Sequence, residues 1–179
     1  MNTSNVSVSK PKVGGCIYMA PVGTALPTDA TTALNSAFVE LGYVSEDGIT
    51  NSNSMTTEDI KAWGGDIVYS AETEKTDTFQ FTLIEATNIN VLKHVYGDDN
   101  VTQANGSITI RANSTPTAYR SYVIESVLRD KAKRTVIPSA KVTTVGDIVY
   151  KDDTLHGYDT TITAVADTAG NTHYEYIGG

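Results

Sequence analysis

At 179 residues with 40% apolar content, the chain is long enough to bury one core without covalent staples. Its formal net charge of -8 argues against a protein that grips nucleic acid, because affinity for phosphate backbones comes mainly from cations. The lone Cys16 excludes an internal disulfide framework, and no apolar run approaches the roughly 18 residues that span a bilayer. The polar N-terminus lacks the apolar run of a secretion signal, so folding is expected in a cytoplasm. Frequent threonine, and tyrosine in excess over phenylalanine, favour strands.

Residues 1–12 read as an extended arm, and residues 13–179 as one domain. Residues 13–20 predict a first strand loosened by Gly14 and Gly15, residues 21–32 a surface loop, and residues 38–44 a short strand. Residues 45–59 are polar with several turn formers, and read as a long loop of functional character. Trp63 follows, beside Gly64 and Gly65. The clearest alternation runs over residues 72–83. It sets Glu72, Glu74, Thr76, Thr78, Gln80 and Thr82 on one wet face, with Phe79, Phe81 and Leu83 on a dry one. This strand outruns what a small core needs, so its first half is expected to project.

Thr87 or Asn88 can cap a helix carrying Ile89, Leu92, Val95 and Tyr96 on one stripe and ending at Gly97. Strands follow at residues 107–111 and 119–128, the latter apolar on both sides. A strand over residues 134–137 stops at Pro138, and residues 141–145 and 148–150 predict a hairpin across Gly146-Asp147. Residues 156–166 and 173–177 are the last strands, with a turn at 167–171 between them. The fold class is mainly β, a β-sandwich or partial barrel with one flanking α-helix.

Catalytic patterns are missing. His94, His156 and His173 have no metal-ligand spacing, and no nucleophile elbow, phosphate loop or dinucleotide fingerprint occurs. The adjacent acids Glu46-Asp47, Glu58-Asp59, Asp98-Asp99 and Asp152-Asp153 sit at expected turns. No enzyme activity, metal or cofactor is expected. Charge is uneven: between Phe38 and Asn100 acids far outnumber Lys61, Lys75 and Lys93, while Arg129, Lys131, Lys133 and Arg134 form a basic run. Such opposite patches suit contact between copies.

Several blocks then carry a resemblance. They are Lys12-Val13-Gly14-Gly15 with Tyr18-x-Ala20-Pro21-x-Gly23-Thr24, Leu41-Gly42-Tyr43-Val44-Ser45-Glu46-Asp47-Gly48-Ile49-Thr50, and Ile60-Lys61-Ala62-Trp63-Gly64-Gly65-Asp66. Glu74-Lys75-Thr76-Asp77-Thr78-Phe79 and Val95-Tyr96-Gly97-Asp98-Asp99-Asn100 follow, then Val145-Gly146-Asp147-Ile148-Val149-Tyr150, Gly157-Tyr158 and Ala169-Gly170-Asn171. In this order the chain resembles the major tail (tail tube) proteins of long-tailed phages infecting Gram-positive bacteria.

The resemblance implies a structural virion protein, assembled in the host cytoplasm into stacked hexameric rings around a DNA channel. Its implied partners are further copies of itself, a tape-measure protein, a tail terminator and baseplate proteins, with DNA passing unbound. The wet face at Glu72, Glu74, Thr76, Thr78, Gln80 and Thr82 is then expected to line the lumen. Contacts between subunits and rings are expected at Ser45, Glu46, Asp47, Ile49, Met55, Lys10, Lys12, Arg129, Lys131, Lys133 and Arg134. A related ring-forming terminator or baseplate hub protein is the near alternative, and a β-sandwich adhesion or carbohydrate-binding module the distant one.

Overall fold

The computed structural model describes residues 3–13 and 15–178; Gly14, within the expected first strand, and Met1 and Asn2 of the arm lie outside them. The strands are β1 (Ser9–Pro11), β2 (Ile17–Pro21), β3 (Val39–Glu40), β4 (Val44–Lys61), β5 (Ile67–Leu83), β6 (Val101–Ala104), β7 (Ser107–Ile110), β8 (Arg120–Leu128), β9 (Lys131–Val145), β10 (Tyr158–Ala164) and β11 (Tyr174–Gly178). The helix α1 spans Ile89–Tyr96, between β5 and β6. The chain is mainly antiparallel β with one flanking helix, as its residue pattern predicts.

The main sheet runs β3-β2-β8-β9-β10-β5-β4, with β1 also on β8 and β11 also on β9; β6 and β7 pair separately. β9 joins the two halves of this sheet. Its first part, from Lys131 to Ala140, pairs with β8, whereas Ala140 to Val145 pairs with β10. The sheet curls, so that Ile17 and Met19 of β2, Phe79 and Phe81 of β5, and Ile137 of β9 share one core with Val91, Leu92 and Val95 of α1. Burial of these apolar side chains is the main term holding the curl closed. A smaller cluster on the reverse face joins Val123 and Val136 to Ala20 and Phe38, with Leu26 and Leu34 packed on it. That explains why β8 is apolar on both sides.

α1 begins where expected. The Asn88 side chain accepts the Asn90 N–H at 2.9 Å, and Gly97 ends the helix at φ 89° with its N–H on the Lys93 carbonyl.

Three local expectations are corrected. Residues 45–59 are not a loop: they belong to β4, which pairs with β5 along nearly its whole length. Beyond Ile49 both faces of β4 are wet, so no hydrophobic alternation announces it. The turn formers there make a bulge instead, since Val44 lies opposite Leu83 and Ile49 opposite Phe81, with Gly48 at φ 73° between. Pro138 does not end a strand. It sits inside β9 at a register shift between the partners of Tyr122 and Arg120, where its missing N–H costs no ladder bond.

The hairpin over 141–150 does not form either. The Gly146 N–H bonds Asp159 O at 2.8 Å, and β9 pairs with β10, where Val142 meets the buried Ile162. Burial of that pair outweighs the local turn signal. The arm is extended over β1, where it docks on β8: Lys10 pairs with Val127, and the Lys12 ammonium lies 2.5 Å from Glu125.

Candidate functional site: a hydroxyl-rich sheet face and a projecting hairpin

Opposite partners in an antiparallel pair share a face, and neighbours along a strand point to opposite faces. Gln80 lies opposite both Thr50 and Thr161, Thr78 opposite Ser52 and Thr163, and Thr82 opposite Asp159. Thr161 continues this face onto Thr144 of β9. Four strands thus build one polar surface of hydroxyls. Gln80 Nε2 donates to the Asp159 carboxylate at 3.0 and 3.2 Å, and the Thr143 and Thr163 hydroxyls are 2.8 Å apart. Lys141 shares the surface through its partner Thr163, and its ammonium lies 5.3 Å from the centre of the Tyr119 ring.

The alternation read from residues 72–83 holds from Glu74 to Leu83 and then breaks. Thr56 pairs with Glu74, but Thr57 pairs with Glu72, so Thr73 is the extra residue of a bulge. Thr56 and Thr57 point to opposite faces, and so do Glu74 and Glu72. Glu72 therefore leaves the face shared by Glu74, Thr76, Thr78, Gln80 and Thr82. Its side of the ribbon is that of Asp59, which accepts a hydrogen bond from Ser70 at 2.7 Å. A second shift, between the partners of Ile60 and Lys61, makes Val68 extra as well.

The first half of β5 does project. Ser52 to Lys61 and Ile67 to Ser70 are exposed throughout, whereas Asp77, Phe79, Phe81 and Leu83 are buried. At about 3.3 Å per residue, the tip stands about 40 Å beyond Asn51. Trp63 is fully exposed there, with Ile60, Ile67, Val68 and Tyr69 more than half exposed around it. Glu58, Asp59 and Asp66 add carboxylates to this tip, against Lys61.

At the hairpin's base, Asp77 is 1% exposed and points to the dry face. Its carboxylate takes hydrogen bonds from Thr172 at 2.6 Å and Asn51 at 2.7 Å, and His173 Nδ1 lies at 2.6 Å. Burial opposes its ionisation most strongly, but these three partners together hold the carboxyl below its ordinary range. The cluster ties the chain entering β11 to the root of the hairpin. Only the presence of a carboxylate among apolar positions of one strand hinted at it.

Of the expected contact residues, Glu46, Asp47 and Met55 are exposed on β4, and Ser45 Oγ bonds Asp47 at 3.3 Å. Ile49 instead packs on the protein's own core. Lys10, Lys12, Arg129, Lys131 and Lys133 come together at one corner, where β1 lies against the β8–β9 turn. Arg129 adopts φ 59° in that turn, with Nη2 donating to Val6 O at 3.2 Å, and Lys133 pairs with Glu175 at 2.6 Å.

Arg134 is withdrawn from this surface. It is 1% exposed, donates through Nε to Glu125 at 2.9 Å, and reaches the Asp29 and Thr32 carbonyls at 2.9 and 2.8 Å. A guanidinium can be buried there because each contact is a charge-assisted or carbonyl hydrogen bond. Asp29 itself, partly exposed and bonded by the Thr32 hydroxyl and the Thr31 and Thr32 amides, has a pKa lowered to about 2.

His94 lies in the core on α1. Its ring stacks on Phe81 at 5.8 Å, and its nitrogens contact Tyr122 Oη at 3.2 Å and Thr160 Oγ1 at 3.4 Å. Burial, with Arg120 adding to it, lowers its pKa to about 3, so the ring is neutral. Among the described residues no group of three His, Cys, Asp or Glu could hold a metal ion, and no helix is long and apolar enough to cross a membrane.

A family model described as phage tail tube protein matches residues 1–178, nearly the whole chain. The chain belongs to the phage tail tube protein family. No curated protein sequence matches it. For a tail tube protein the work is structural: a component of the virion tail, built by self-assembly. A broad hydroxyl face, a long exposed hairpin and open sheet edges are parts of the right kind for such work.

Proposed function

We propose that copies of this chain form hexameric rings that stack into the tail tube, with the hydroxyl face turned to the lumen. The carrying observation is that face itself. Glu74, Thr76, Thr78, Gln80 and Thr82 of β5 continue through Asp159, Thr161 and Thr163 of β10 without a buried apolar residue among them. Hydroxyls hold water, and Glu74 and Asp159 repel phosphates within a Debye length of about 10 Å at 0.1 M salt, while the Lys141 ammonium on this face is turned onto the Tyr119 ring, so DNA meets little cationic grip. β4 offers an outer edge along one side of the sheet, and β1 and β3 lie at the other. Joining these unlike edges around a closed rotation gives a ring whose inner sheets form one barrel.

The hairpin and the arm supply contacts between rings. The tape-measure protein occupies the lumen before DNA, and terminator and baseplate proteins cap the ends. The bulge at Thr73 provides an internal control for the lumen assignment. Virions carrying Glu74→Lys should assemble and eject DNA more slowly than wild type, most clearly at low salt, whereas Glu72→Lys should not slow ejection. Equal ejection kinetics in both variants would remove the hydroxyl face from the lumen.

A further inference from the structure

The hairpin tip and the basic corner are complementary in two respects at once. The tip carries a fully exposed indole, Trp63, flanked by Ile60 and Ile67 and by the carboxylates Glu58 and Asp66. At the corner, Val6, Ser7, Val8, Lys10 and Arg129 line a notch of about 470 Å³, with Val6 and Val8 70% and 69% exposed. One surface is apolar and acidic, the other apolar and basic. They are also built differently: the tip is continuous in sequence, whereas the notch exists only because β1 docks on β8 beside the β8–β9 turn.

A tip about 40 Å from its own root reaches farther than the roughly 30 Å diameter of a small domain. It is therefore placed to meet another molecule. We propose that the Trp63 tip of one copy seats in the Val6–Val8–Lys10–Arg129 notch of a second copy, with Asp66 and Glu58 towards Lys10 and Arg129. This rests on the reading of the chain as a self-assembling tube subunit, and names which surfaces meet and by what chemistry. An aromatic anchor enclosed by apolar walls and a ring of opposite charges has the composition of interface hot spots, and cations beside an indole add to it. Asp130 in the same turn is the like charge that the acidic tip must avoid, and sets the direction of approach towards Lys10.

Trp63 is the only tryptophan, so its fluorescence reports the notch directly. Purified protein is concentrated until tubes appear by negative-stain microscopy, with emission recorded throughout. Wild type should shift to shorter wavelength as it assembles. Lys10→Glu should raise the concentration needed by about tenfold or more, and Lys10→Glu combined with Asp66→Lys should bring it back. Tubes that form with Trp63 still emitting as a fully exposed indole, or a Lys10→Glu variant that assembles like wild type, overturn the docking and leave the tube reading intact. Protein that never associates at any concentration overturns the tube reading, and the docking with it.

Discussion

Acid should unfold this protein through His94 before its carboxylates titrate. The folded ring is buried, touches Tyr122 and Thr160, and is held neutral with a pKa of about 3, against 6.5 for a free histidine. Below pH 6.5 the unfolded chain takes up a proton that the folded chain refuses, so stability rises with pH across the window from about 3 to 6.5. The gap corresponds to up to roughly 5 kcal/mol in total, and roughly 2–3 kcal/mol of it falls between pH 6.5 and 4.5. That is a large share of a typical stability of about 5–15 kcal/mol. Urea unfolding at fixed temperature should show its midpoint fall by about 1 M or more over those two pH units, given slopes of about 1–3 kcal/mol per molar. His94→Gln should be less stable at pH 7 yet much flatter over the same range, since it keeps polar contacts and binds no proton. The depressed carboxyls of Asp29 and Asp77 release their contributions only at lower pH, as each is protonated, and since His156 and His173 are common to both proteins, the difference between wild type and His94→Gln isolates this histidine. Identical pH slopes for wild type and His94→Gln would refute the reasoning.

Arg134→Met should cost about 3–5 kcal/mol in urea or thermal unfolding, because it strands the buried Glu125 carboxylate with Lys12 as its remaining cation. Adding Glu125→Gln should recover part of that loss, and a double variant less stable than Arg134→Met alone would contradict the account. Replacing residues 56–74 by Asn-Gly joins Met55 to Lys75, which are direct partners, through a two-residue turn suited to a hairpin. Since the removed segment is almost entirely exposed, the truncated protein should unfold within about 1 kcal/mol of wild type while failing to form tubes. Ordinary tubes from that variant would show that the hairpin is dispensable for assembly.

What could be read from the residues, and what could not, divides along one physical line. Phe79, Phe81 and Leu83 announce β5 because one face of that strand is dry, and Asn88 and Gly97 announce the ends of α1 because caps are local chemistry. Beyond Ile49 β4 has no dry face, so nothing in its own sequence separates a strand from a polar loop; its form comes from β5 across the hairpin. The bulge at Thr73 is likewise a property of two strands in register, and strict alternation along one of them misplaces Glu72. Arg134 lies in a basic run that reads as surface, yet Asp29, Thr32 and Glu125, which accept its hydrogen bonds, come from other parts of the chain.

The features assigned here to assembly are therefore the ones least visible locally. A protein that must remain a separate subunit and then join copies cannot advertise its contact surfaces as dry stripes, because a long apolar edge would aggregate before assembly. β4 meets that requirement by being a strand whose exposed faces are mostly Ser, Thr, Asn and acids, with Met55 midway and the other exposed large apolar groups gathered near Trp63 at its far end. The same polarity that hides the strand from sequence reading keeps its edge soluble until a partner of matching geometry arrives.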